Sequence, residues 1–380
     1  MCAVEWKKLG DVCEILDSQR KPISKSKRVF GCYPYYGANG IQDYVDGYIF
    51  DGTYLLVGED GSVINKDNSP VLHWVSGQFW VNNHAHILSD IKDTAILKYL
   101  YYVLHTIDVS DIVRGVPPKL NQENLKNIIL PIPSLAKQQE IVSQLDTFTT
   151  LISNLESELY MRRKQYEHYR NQLFGDTLEL LLDKVDKGEM EVSTLSEVGT
   201  FTRGRRFVRT DIMTEGTPCI HYGDMYTYYG VSAKTTPTFL LPEVAAKLRF
   251  AQENDVVIVG AGENNEDIGI GVAWLGNEDV AVHDACYIFK HKMNPLYISY
   301  YLRTDIYHKQ IKKYVSSGKI CSISSDGIGK SIIPIPSSKT QQQIVEKLDA
   351  FEQLIQSLET EIKLRKQQYE YYREKLLTFE

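Results

Sequence analysis

The sequence predicts an α+β chain of two β-rich domains, each followed by a long helix, with the two helices pairing as an antiparallel coiled coil about an internal pseudo-two-fold repeat. Three observations predict it. Residues 129–173 recur as residues 332–376 without a gap, and 24 of the 45 aligned residues are identical. The shift of 203 positions far exceeds the roughly 20–50 residues of a solenoid unit, so each copy should carry its own core. The repeated block is patterned in heptads, while the stretch ahead of each copy is rich in Tyr, Gly and β-branched residues.

The β-rich parts show themselves as short apolar runs: Tyr54–Val57 and Ala85–Leu88 in the first copy, Val256–Val259, Val280–Val282 and Tyr287–Phe289 in the second. Clusters of Gly, Asn and Asp punctuate them, the composition of short strands joined by loops. One helix is expected in each, Ala95–His105 and Leu296–Ile306, both with a Tyr-Tyr pair, Tyr101-Tyr102 and Tyr300-Tyr301. The prolines of Pro131-Ile132-Pro133 and Pro334-Ile335-Pro336 then end whatever precedes them.

Beyond the prolines, apolar residues fall at Ile141, Leu145, Phe148, Ile152, Leu155 and Leu159, and again at Ile344, Leu348, Phe351, Ile355, Leu358 and Ile362. The spacing of 4 and 3 continues through Arg162, Tyr166, Tyr169 and Leu173, and through Arg365, Tyr369, Tyr372 and Leu376. A seam sustained this long predicts a coiled-coil helix of about 40 residues, ~60 Å at 1.5 Å per residue. Two such helices in one chain are each other's obvious partners, and a two-fold relation perpendicular to them requires an antiparallel pair. An amphipathic helix docked on its own domain is the plainer alternative. Arg162 and Arg365 interrupt both seams at the same place, where a charge can snorkel and fix register. The expected organisation is a first domain over 1–134, a helix over 135–175, a charged connector over 176–191, a second domain over 192–337 and a second helix over 338–380. The apolar patch Leu178–Leu182 of the connector either packs on the coiled coil or is a short helix of no special role.

At 380 residues and 43% hydrophobic content the chain can bury two cores. The sequence shows no charged-then-apolar leader, and its most apolar stretch, Thr94–Ile107, is interrupted by Lys98 and too short for a bilayer. A cytoplasmic protein without a membrane segment is expected. Cys2, Cys13, Cys32, Cys219, Cys286 and Cys321 lack ligand spacing, and His84 and His86, which alternate as strand neighbours, have no second cluster to complete a metal site. Metal sites are therefore expected to be absent.

A net charge of −7 argues against a free-standing, high-affinity nucleic-acid binder. Local charge differs. Arg20, Lys21, Lys25, Lys27 and Arg28 lie close together with no acid among them, as do Arg203, Arg205, Arg206 and Arg209. Both clusters are expected just after the opening strand of each copy, where Leu9-Gly10-Asp11-Val12 resembles Leu195-Ser196-Glu197-Val198. A lone basic run is usually a solvated face; recurrence at one structural position favours a ligand.

Catalytic motifs fail on inspection. Val259-Gly260-Ala261-Gly262 lacks the third glycine of a dinucleotide loop, and its counterpart Gly58-Glu59-Asp60-Gly61 is acidic where a pyrophosphate would sit. Gly329-Lys330-Ser331 has serine at position 324, where a phosphate-binding loop needs glycine, and Gly115-Val116-Pro117-Pro118-Lys119 lacks the rest of a methyltransferase motif.

A β-rich domain, a Pro-x-Pro exit, a heptad helix with Gln-Gln-x-Ile-Val, and then all of it again resembles the specificity subunit of type I restriction-modification enzymes. The resemblance spans essentially the whole chain. It is carried by Tyr35–Ile41, Phe50–Gly61, Lys119-Leu120-Asn121, Gln138–Val142 with its repeat Gln341–Val345, and Arg162–Leu173 with its repeat Arg365–Leu376. It implies two target recognition domains, each reading half of a bipartite, asymmetric double-stranded DNA target, and a chain that is not itself an enzyme. It implies two methyltransferase subunits on the helices, restriction subunits joining them, and S-adenosylmethionine, ATP and Mg on those partners, with no cofactor in this chain. The departure is Gly318–Ile323, whose chemistry differs from Gly115–Leu120, so contacts cannot be copied across.

The expected DNA contacts of the first domain are Lys21, Lys25, Lys27, Arg28, Arg114 and Lys119, with Tyr36 and Asn39 reading bases; those of the second are Arg203, Arg205, Arg206, Arg209 and Lys319, with Tyr222. Cations would hold phosphates while polar side chains read base edges in the major groove. A ~60 Å spacer limits half-site spacing to about 17 base pairs, so helix length acts as a ruler. Overall acidity implies that the partners supply much of the phosphate clamp. Two rivals remain: the specificity component of another multisubunit methylating nuclease, and a coiled-coil adaptor whose domains bind proteins.

Overall fold

The computed structural model describes residues 4–91, 93–316 and 318–379, so Cys2 lies outside the described residues. The chain divides into two compact units, Met1–Glu156 with Thr360–Glu380, and Ser157–Glu359. Each unit therefore combines one β-rich domain with one half of each long helix, and each is described by itself.

In the first unit a six-stranded sheet runs in the order Cys13–Ile15, Ala85–Asp90, Phe50–Gly58, Leu72–Val81, Phe30–Gly37, Gly40–Val45. The pairs are antiparallel except Phe30–Gly37 on Leu72–Val81. Leu55, Leu56 and Val57 are fully buried because the central strand is covered on both faces. Leu55 and Val57 meet the helix Leu97–Leu104, while Leu56 faces Phe50, Phe79 and Ile87. A two-stranded ribbon pairs Glu5–Lys8 with Ile129–Ile132, setting Trp6 opposite Pro131. A proline, having no N–H, is tolerated at such an edge.

The second unit repeats the ribbon, Val192–Thr194 on Ile332–Pro334. Its main sheet orders Gly199–Arg203, Cys286–His291, Val256–Val259, Gly271–Trp274 and Ser232–Ala233. A second five-stranded sheet, Ile212–Met213, Thr238–Leu240, Thr217–Ile220, Val280–Val282 and Phe250–Ala251, closes over a small core of Phe207, Cys219, Leu240, Ala245 and Ala281. Every apolar run singled out in the sequence lies on a strand.

Two local expectations are corrected. The helix expected over Leu296–Ile306 is two helices, Pro295–Tyr301 and Asp305–Ile311, because the Thr304 hydroxyl accepts from Tyr307 N–H at 3.4 Å and starts a new one. The matching segments Leu9–Val12 and Leu195–Val198 are single helical turns between strands. The connector patch forms the helix Leu178–Asp186, capped by Thr177 and anchored by the buried Leu181.

The long helices run Leu135–Phe174 and Ser338–Leu377. In the first unit the start of one meets the end of the other: Phe148 stacks on Tyr372 at 5.3 Å, and Lys366 pairs with Glu156 at 2.6 Å. In the second unit the positions 203 residues away do the same, Phe351 stacking on Tyr169 at 5.5 Å and Arg163 pairing with Glu359 at 2.5 Å. Helix starts thus meet helix ends, which makes the pair antiparallel with a pseudo-two-fold repeat. Ile141, Leu145, Ile152, Ile344, Leu348, Leu358 and Ile362 are buried, and Phe148, Leu155, Leu159, Phe351 and Ile355 are partly so. Arg162 and Arg365 bond within their own helices, Arg162 to Glu158 and Gln165, Arg365 to Glu361 and Gln368. No helix among the described residues is long and apolar enough to cross a membrane. Cys13, Cys219 and Cys286 are buried, and burial pushes their thiols up to about 12, 11 and 12.

Candidate nucleic-acid interface

In the first unit the basic run Arg20–Arg28 crosses the surface beside the end of the central strand, and distant carboxylates sort its cations. Arg20 reaches Glu59 at 2.5 Å and the Ala85 carbonyl at 2.9 Å, and Arg28 pairs with Asp43 at 3.2 Å while its guanidinium lies 4.3 Å from the Tyr35 ring. Lys21, Lys25 and Lys27 are exposed and form no ion pair among the described residues. Three of the five cations thus keep their charge for a ligand.

Behind them lies a polar knot. His86 is fully buried, its Nδ1 2.6 Å from Asp17 and its Nε2 2.8 Å from the Leu120 carbonyl oxygen. Burial would raise the carboxyls of Asp17 and Glu59, but the hydrogen bonds and charges of His86 and Arg20, with Lys119 added at Glu59, hold both below their usual values. Asp17, Glu59 and His86 stand close enough to share a cation. Arg20 and Lys119, the latter 3.1 Å from Glu59, already supply the positive charge, and Gln122 donates to Asp17 at 2.9 Å. His84 bonds instead to Asp60, so the two histidines do not combine.

The remaining candidates of this unit spread over one hairpin, one turn and the strand leading into it. Arg114 and Lys119 face each other across a hairpin, with Arg114 free of carboxylate partners among the described residues. Asn39 is exposed in the turn between Phe30–Gly37 and Gly40–Val45, whose tightness rests on Gly40 at φ +89°. Tyr36 is half-buried edge-on to Phe79 at 5.7 Å, and burial raises its hydroxyl pKa.

In the second unit Arg203 donates to the Asp284 carbonyl at 2.7 Å and Arg205 to the Lys247 carbonyl at 2.8 Å, contacts that orient the guanidinium groups without neutralising them. Arg206 and Arg209 are exposed, and Arg249, missed in the sequence, joins them by donating to the Arg203 carbonyl at 2.5 Å. Beside the arginines, Tyr222, His221 and His283 form a ring cluster with centroids 4.5–5.5 Å apart. Burial lowers both imidazole pKa values, with His283 adding to the effect at His221, so the cluster is a neutral aromatic surface under a cationic rim. Lys319 is exposed in a separate loop.

A family model described as type I restriction modification DNA specificity domain matches residues 3–161 and again residues 187–365. The chain belongs to this family. A protein of Haemophilus influenzae provisionally named a type I restriction enzyme specificity subunit is 34% identical, the alignment covering 99% of this chain and 96% of that one. The EcoR124I/EcoR124II specificity subunit of Escherichia coli is 27% identical over 99% of this chain and 94% of its own. The crystal structure of a type I restriction-modification S subunit from M. genitalium superposes with a TM-score of 0.61 at 16% identity, covering 100% of this chain and 97% of that one, a likeness of fold.

Within this specificity-subunit fold the residues shared by both copies form a joint between helix and domain. Gln138 accepts from Ile96 N–H at 2.8 Å and donates to the Pro133 carbonyl at 2.9 Å; Gln341 accepts from Asn294 N–H at 3.0 Å and donates to the Pro336 carbonyl at 2.9 Å. Tyr99 donates to Pro131 O at 2.7 Å and Tyr297 to Pro334 O at 3.0 Å. Tyr102 donates to Asp146 and Tyr300 to Asp349, both at 2.5 Å. The repeat identity and the paired tyrosines were the signals for this joint.

Proposed function

We propose that this chain is the non-catalytic, sequence-reading subunit of a type I restriction-modification enzyme, each domain recognising one half of a bipartite, asymmetric DNA target. The observation that carries the reading is the twofold match to the specificity domain, each copy with its own basic surface. Lys21, Lys25, Lys27 and Arg114 in one domain and Arg206, Arg209 and Arg249 in the other suit phosphates, which position a protein, while diverged loops between them suit base edges, which specify sequence. The helices serve two methyltransferase subunits, and restriction subunits complete the assembly. S-adenosylmethionine, ATP and Mg belong to those partners, and with a chain charge of −7 they supply much of the phosphate clamp. Mapping methylated bases in host DNA with the gene intact and deleted tests this. Loss of one two-part asymmetric motif is expected; an unchanged methylome in a host whose partner subunits are expressed and active would contradict it.

A further inference from the structure

Each unit carries a hairpin whose tip serves neither the polar knot nor the joint. In the first, Arg114 and Lys119 exchange main-chain hydrogen bonds of 3.0 and 2.8 Å and close the loop Gly115–Pro118. Gly61 N–H to Pro118 O at 2.9 Å and Leu120 N–H to Glu59 O at 2.8 Å tie this hairpin to the end of the central strand. At its tip Val116 is 101% exposed. In the second unit Ser316 and Ser322 exchange the corresponding bonds at 2.8 and 3.2 Å, Ile323 N–H reaches Gly260 O at 2.9 Å, and Ile320 is 64% exposed. The loops differ in sequence, Gly-Val-Pro-Pro-Lys against Gly-Lys-Ile-Cys-Ser.

A single exposed apolar side chain needs no explanation. Here two diverged loops, each fixed to its sheet by main-chain bonds, both raise a β-branched side chain beside a cation: Arg114 in one, Lys319 in the other. Val116 gains nothing from folding and Ile320 only part of its transfer energy, since an apolar group contributes only as far as it is removed from water. An apolar tip with a cationic flank matches a particular chemistry. The cations can hold phosphates, and the one apolar group on a base edge of the major groove is the C5-methyl of thymine. In the first loop Pro117 and Pro118 restrict the backbone, so little ordering entropy is left to lose there on contact.

We propose that Val116 and Ile320 are specificity-determining residues, each packing against a thymine methyl in the half-site read by its own domain. This rests on the DNA-reading function above. The test uses the complete complex of this chain with its methyltransferase subunits on the duplex target, with each thymine replaced in turn by deoxyuridine, which removes only the methyl. One replacement per half-site should weaken binding about fourfold, the ~0.8 kcal/mol of one buried methyl group. Val116→Ala should abolish that discrimination in the first half-site alone and Ile320→Ala in the second alone, while Val116→Ile keeps it. Because both side chains are exposed, the variants should fold as the parent does. Thymine-against-uracil discrimination that survives in the alanine variants, a half-site without an A·T pair, or sensitivity to the alanine change without any sensitivity to the methyl, as a minor-groove wedge would give, overturns the proposal. Absence of any sequence preference in the complex would instead remove the DNA-reading function, and this proposal with it.

Discussion

The helix–domain joints of the two units share their polar clasp and differ in charge. Gln138, Tyr99 and Tyr102 make the same bonds as Gln341, Tyr297 and Tyr300, yet where the first joint has His105 and Thr149 the second has Arg303 and Glu352. Arg303 donates to the carbonyls of Gly230 at 2.6 Å and Gly271 at 3.1 Å, and its Nε is buried without a partner. Burial raises the Glu352 carboxyl, while Tyr166, bonded to it at 2.7 Å, and the Arg303 charge oppose that rise. In the first joint burial, helped by the Arg373 charge, pushes His105 down to about 4. The two joints keep the same directional hydrogen bonds while the charge around them differs.

The largest effect should come from removing Arg303. Arg303→Leu takes the side-chain donor from the Gly230 and Gly271 carbonyls and removes one of the charges that oppose the rise at Glu352, and should cost the second unit about 3 kcal/mol, read by hydrogen exchange in Pro295–Ile311. Grafting the first joint's pair, Arg303→His with Glu352→Thr, should cost clearly less than Arg303→His alone; equal costs would show that the two sites are independent.

Next comes the shared clasp. Gln138→Ala and Gln341→Ala each strand a main-chain N–H and a carbonyl, about 2 kcal/mol apiece. The two losses should agree; a difference above about 1 kcal/mol would break the equivalence of the joints.

Acid should then distinguish His105. Its ring titrates at about 4 in the fold against 6.5 when free, so between those values the unfolded chain binds more protons and stability falls as pH drops from 6.5 towards 4. His105→Phe should remove that part of the slope, gaining about 2 kcal/mol at pH 5 relative to pH 7.5. An unchanged slope in denaturant unfolding at the two pH values would contradict it.

The smallest effect on stability belongs to the exposed lysines. Lys25→Ala and Lys27→Ala should each leave stability within about 0.5 kcal/mol and lower the salt dependence of complex binding to DNA by roughly one counterion. An unaltered salt slope would remove these residues from the interface.

Much of this architecture was legible because its signals are local or repeated. The heptads marked the helices Leu135–Phe174 and Ser338–Leu377, and β-branched runs marked strands such as Val256–Val259. The break at Leu302–Thr304 was not legible, because a threonine cap inside an apolar stretch competes with an otherwise continuous helical pattern. Charge was legible only as count. Arg20, Arg28 and Lys119 looked unpaired because Glu59 and Asp43 reach them only through sheet pairing. The identity of Gln138 with Gln341 was visible, but part of what it implied for outside partners is accounted for by bonds inside each unit.

The central claim is that one chain carries two independent readers on equivalent joints. Replacing residues 192–337 with the corresponding segment of a family member of known target, and mapping the methylated motif, tests it most directly. The account predicts that one half of the motif changes to the donor's and the other stays. A motif altered in both halves, or in neither, would contradict it.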